Sequence, residues 1–154
     1  MLTGTSGLIA AVTVFIGAWT ISYMTTPRGS FEMEPRGPGS FEPHFSNYVS
    51  TAKLIISLAV GSIVLMVSYL DVLAKQGADR VSFTRMAVAS PLVLLACSIV
   101  FGVLFMGMLA RSYEGFIHGQ PYTRLSYSLN VALGFSTLIS FSLGYLWLAF
   151  GLVQ

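Results

Sequence analysis

Four long apolar runs, separated by three polar stretches, organise the chain. They cover residues 3–25, 52–74, 87–110 and 127–152. A helix of about 20 apolar residues crosses a hydrocarbon layer roughly 30 Å thick, and each run reaches that length. Their central stretches contain no Asp, Glu, Lys, Arg or His. A charge at the middle of an inserted helix costs about 2.5–3.5 kcal/mol, so this exclusion predicts four membrane spans. A soluble bundle would need a polar face on each helix, and none of the runs has one. The expected architecture is all-α: an integral membrane four-helix bundle, with residues 1–154 forming a single transmembrane domain. The first run has no Lys or Arg ahead of it, and Thr25-Thr26-Pro27 makes a poor signal-peptide cleavage site, so it is expected to remain in place.

The polar stretches differ in kind. The first, residues 26–51, partly repeats itself: Pro27-Arg28-Gly29-Ser30-Phe31-Glu32 is echoed by Pro35-Arg36-Gly37 and Gly39-Ser40-Phe41-Glu42-Pro43. Four prolines argue against a continuous helix and for an extended Pro/Phe-rich loop, and its aromatics suit the membrane surface or a partner. The second, residues 75–85, is short and basic. The third, residues 111–126, mixes charges with aromatics. With four crossings, loops one and three share a side and the termini share the other. Arg28, Arg36, Lys53, Arg111 and Arg124 outnumber Lys75, Arg80 and Arg85, which favours a cytoplasmic loop 26–51 with the termini outside; the charge density of loop two favours the reverse.

The fourth run carries the most pattern. Small or polar residues alternate with large ones, a period that would suit a strand, but the run is too long for a barrel strand and the other runs do not alternate. On a helix the pattern makes two rows. Ser128, Ala132, Ser136, Ser140 and Gly144 form one, while Ser126, Asn130, Gly134 and Ser142 form another on roughly the opposite face. Small residues let helices approach closely in lipid, so both rows are expected to be helix-packing interfaces. The second row could meet another subunit, which motivates other membrane subunits or a homo-oligomer as partners beside the lipid bilayer.

Only 9% of the residues are charged, and the net charge of +2 is too scattered to indicate nucleic acid. The single Cys97 excludes an intramolecular disulfide and a Cys-x-x-Cys site, and reads as a packing residue. Asp71, four residues before Lys75, reads as an interfacial anchor rather than a proton relay. His44 and His118 fall in loops on one side of the membrane; with Glu42 and Glu114 they are candidate metal ligands, and no specific motif indicates a cofactor. No Gly-x-Ser-x-Gly, P-loop or His-Glu-x-x-His motif occurs.

The length, the four spans and the long first loop resemble the membrane-associated eicosanoid and glutathione metabolism enzymes. The segments Arg111-Ser-Tyr113 and Gln120-Pro121-Tyr-Thr-Arg124-Leu-Ser126 are similar to that family's entry into its last helix. The resemblance implies glutathione activation by an arginine, a role that would fall on Arg124. The family's Arg-x-x-x-Asn-x-x-Glu pattern entering the second span has no counterpart in Ser-Asn-Tyr-Val-Ser-Thr-Ala-Lys-Leu, which removes most of the glutathione-binding set. The first expectation is therefore a non-catalytic structural or accessory subunit of a larger membrane complex. A homo-oligomeric pore and a small membrane enzyme, glutathione-dependent or metal-assisted, are the alternatives.

Overall fold

A computed structural model describes residues 2–28, 30–31, 41–76, 78–120 and 122–153. Helix α1 spans Leu2–Thr25, α2 Phe41–Gln76, α3 Ala78–Ile117 and α4 Arg124–Val153; the two-residue strands β1 (Ser30–Phe31) and β2 (Tyr122–Thr123) precede α2 and α4. The fold is all-α. Within the helices, Thr5–Thr25, Phe45–Val72, Ala89–Ile117 and Arg124–Phe150 are long and apolar enough to cross a membrane. Large apolar side chains such as Leu8, Ile21, Leu54, Leu65 and Phe150 point outward, as lipid contact requires. By length and composition this is a multi-pass integral membrane protein.

Helices α2 and α3 run well past their apolar runs, and two expectations change. Helix α2 already begins at Phe41, so residues 41–51 are helical rather than extended. Pro43 does not prevent this, because it lies in the first turn, where backbone N–H groups have no intrahelical partner to lose. Residues 32–40, which hold much of the repeat, lie outside the described residues. Helix α3 begins at Ala78, so the basic stretch 75–85 is mostly helix rather than loop. Hydropathy marks where a helix enters lipid, not where its hydrogen bonding starts. Pro91 consequently sits inside α3, where it removes one backbone hydrogen bond.

Helices α3 and α4 form the central pair. α1 packs against both of them, whereas α2 packs chiefly on α3 and meets α4 lightly. The pairing is antiparallel. Ser98 Oγ donates to Thr137 O at 2.8 Å in the middle of the α3–α4 seam, and Phe15 stacks on Phe101 at 5.5 Å between α1 and α3. Ala59, Leu95 and Leu148 form a small core where α2, α3 and α4 converge. In the first small-residue row of α4, Ser128, Ala132, Ser136 and Ser140 are fully buried, and a Cβ at Gly144 would touch Leu95 of α3.

Two local devices set the start of α4. α3 ends in a Schellman-type turn, with Gln120 N–H bonding Gly115 O at 2.8 Å and Gly119 N–H bonding Phe116 O at 3.1 Å. That closure needs a residue with positive φ, and Gly119 has φ 68°. Thr123 Oγ1 then accepts from Ser126 N at 3.2 Å and caps α4, so α4 begins three residues ahead of its apolar run. Between the two, β2 pairs antiparallel with β1, Ser30 opposite Thr123 and Phe31 opposite Tyr122. The first connection is thereby clipped to the third.

Candidate functional site: a lipid-facing groove with a buried amide

Because α2 leans on α3 and touches α4 little, a groove of about 300 Å³ opens between α2 and α4 with α3 as its floor. Tyr48, Thr51, Ala52 and Ile55 line it from α2, Phe105 and Leu109 from α3, and Tyr127, Asn130, Val131, Gly134, Phe135, Thr137 and Leu138 from α4; Tyr122 of β2 joins them. Tyr48, Phe135 and Leu138 are 53%, 56% and 45% exposed, which places the mouth of the groove on the lipid-facing surface. Further along the two helices, beyond the residues that line the groove, Ser62 Oγ of α2 and Tyr145 OH of α4 are hydrogen-bonded at 2.8 Å. Among the described residues, none that lines the groove is charged.

The polar end of the groove is a three-residue network. Asn130, only 4% exposed, donates from Nδ2 to Ser112 Oγ at 3.0 Å and to Tyr122 OH. Ser112 Oγ also bonds Met108 O at 2.7 Å and lies 3.0 Å from Tyr122 OH. Asn130 Oδ1 is buried and accepts no hydrogen bond. Tyr122 packs edge-on against Tyr127. On its other side, Tyr122 lines a second, more polar cleft of about 360 Å³ with Arg111, Ser112, Gln120, Thr123 and Ser126. A polar partition thus separates an apolar groove from a polar cleft.

The remaining sequence candidates are placed elsewhere. Arg124 stacks over the Tyr23 ring, its guanidinium carbon 4.1 Å from the ring centroid, and donates from Nη2 to Tyr23 O. Tyr23 O is one of the last carbonyls of α1, which lack intrahelical donors, so Arg124 ties the foot of α1 to the head of α4. Glu114 and His118 follow one another around the end of α3, joined by a backbone bond from His118 N to Glu114 O at 3.1 Å, and both are exposed. Glu42 and His44 lie in the first turn of α2, and their side chains are outside the described residues. Among the described residues, no group of three or more His, Cys, Asp or Glu comes together.

The two rows of α4 meet helices of the same chain. The first is buried within the bundle. In the second, Asn130 and Gly134 face the groove, with a Cβ at Gly134 meeting Phe105 at 3.2 Å, while Ser142 is exposed. Sequence reading marked Asn130 and Gly134 as packing residues and overlooked Tyr122, Ser112 and Tyr48 as their companions. One signal was available: Asn130 is the only carboxamide in the fourth run, and a carboxamide within lipid needs partners.

No family model, no curated protein and no solved structure matches the chain. The site is therefore interpreted from its own geometry. That geometry suits binding: apolar walls for a hydrocarbon body, and one oriented polar group at the end to select it.

Proposed function

We propose that the chain is a membrane-embedded binding protein that holds a lipophilic small molecule in the α2–α3–α4 groove. The observation that supports this reading is the groove itself, uncharged among the described residues, apolar along its walls, open on the lipid side and polar at one end. Its volume falls at the lower end of the roughly 300–1,000 Å³ range of ligand pockets. A ligand could enter sideways from the bilayer without crossing water.

The alternatives draw less support. A pore lined by the fourth helix needs its hydroxyls turned towards a lumen, yet Ser128, Ser136, Thr137 and Ser140 are buried within the chain's own bundle. The second small-residue row suggested a neighbouring subunit, and it is occupied largely by Phe105 and the groove. Membership of a larger complex stays compatible with a binding role and has no structural feature of its own in its favour.

The test is native mass spectrometry of the protein released from phosphatidylcholine nanodiscs carrying 1-hexadecanol as probe. The wild type should retain one probe molecule. Thr51→Trp, which fills the groove from α2, should lose it, and Val12→Trp on the lipid-facing side of α1 should keep it. Equal retention by all three proteins would refute the reading.

A further inference from the structure

The hydrogen bonds of the polar network at the end of the groove identify what is missing. The two Nδ2 hydrogens of Asn130 go to Ser112 Oγ and Tyr122 OH. Ser112 Oγ in turn donates to Met108 O at 2.7 Å and to Tyr122 OH at 3.0 Å, sharing its one proton between them. What is left is an acceptor, Asn130 Oδ1, buried and without a partner.

Turning the amide over does not remove the deficit. Oδ1 would then accept from the hydroxyls, and both Nδ2 hydrogens would be buried without acceptors. One unmatched acceptor costs less than two unmatched donors, so the orientation with Oδ1 free is the preferred one.

We infer that the groove selects a lipid alcohol: an uncharged lipid whose terminal hydroxyl donates to Asn130 Oδ1 while its hydrocarbon lies along Ile55, Phe105 and Leu138. The inference rests on the groove reading above and specifies its ligand. Three features point to this class. Among the described residues, the walls carry no charge to pair with an ionic headgroup. The buried Asn130 Oδ1 calls for a donor, which an ester, ether or ketone lacks. The groove is reached from lipid, where lipid alcohols reside. Oδ1 is itself covered, so the hydroxyl reaches it as side chains around Tyr122 and Tyr127 shift, an adjustment of the kind common at binding interfaces.

The experiment compares 1-hexadecanol with its methyl ether, which has a similar chain but no donor, at equal mole fraction in phosphatidylcholine nanodiscs. Adducts are read by native mass spectrometry. The wild type should retain the alcohol about tenfold over the ether, the effect of one hydrogen bond to a buried acceptor. In Asn130→Leu the two should be retained alike. The wild-type ratio is decisive by itself, so the inference remains testable if Asn130→Leu does not fold. Equal retention of both probes by the wild type, with loss of both in Thr51→Trp, overturns the hydroxyl preference and leaves the groove reading standing. Retention of neither probe, or retention unaffected by Thr51→Trp, overturns the groove reading and this inference with it.

Discussion

At Gly7 a missing methyl group lets α1 meet α3. A Cβ there would lie 2.5 Å from Ser90 O, a backbone atom that cannot swing away, and the adjacent Ser6 Oγ bonds Ser90 Oγ at 2.8 Å. Gly7→Ala should destabilise the bundle by roughly 1–3 kcal/mol, as overpacking does. Gly17 has nothing within 4 Å of its Cβ position. Gly17→Ala should be neutral or stabilising by up to about 1 kcal/mol through helix propensity. Thermal unfolding in detergent compares the two, and similar losses would contradict the packing assigned to α1. A matching contrast exists among the serines. Ser98→Ala removes the bond to Thr137 O and should cost about 1 kcal/mol, whereas Ser136 Oγ has no partner, so Ser136→Ala should fall within about 0.5 kcal/mol of the wild type. Sequence showed both as small residues on a helix. It could not tell them apart, because their difference lies in which atom of another helix stands opposite.

The helices as elements were legible where lipid demands apolar length, and less so at their ends. Ends depend on backbone partners: Gly119 and Thr123 close one helix and open the next within a few residues, and the acidic and basic residues of 78–88 support a helix as readily as a loop. Arg124 shows the same limitation. It was read as a catalytic candidate by resemblance, and the structure places it on Tyr23, 101 residues away. Arg124→Ala should release the foot of α1 from α4 at a cost of about 1 kcal/mol. Hydrogen exchange at residues 22–26 should then quicken about fivefold, with α3 unaffected. Arg124→Lys should recover only part of the protection, since an ammonium lacks the flat guanidinium that stacks on the ring. Unchanged exchange in Arg124→Ala would show that the Thr25 and Thr26 side chains, which bond Ile21 O and Ser22 O, secure the helix end unaided.

For the whole molecule, four crossings in alternating directions should put the two ends of the chain and the α2–α3 junction on one side and the β1–β2 clip on the other. In a Cys97→Ser background, Arg28→Cys and His118→Cys should react with an impermeant maleimide from the same face of sealed vesicles, and Gln76→Cys from the opposite face. Labelling of residues 28 and 118 from different faces would break the topology. Hydropathy alone implied this number of crossings. The groove was not legible, because it arises from α2 leaning away from α4, a matter of how helices sit rather than of what any one of them contains. Its polar end draws Ser112, Tyr122 and Asn130 from α3, β2 and α4, and no spacing in the sequence links them.

The clip between Phe31 and Tyr122 has a practical corollary. Strand pairing fixes Phe31 opposite Tyr122, and α2 starts at Phe41. With those two points held, a longer connection between them should cost about 0.6 kcal/mol of loop-closure entropy for each doubling. An epitope or a small reporter domain spliced between Glu34 and Pro38 should therefore leave the helices assembled, giving an internal handle on one face of the membrane and freeing both termini for other uses.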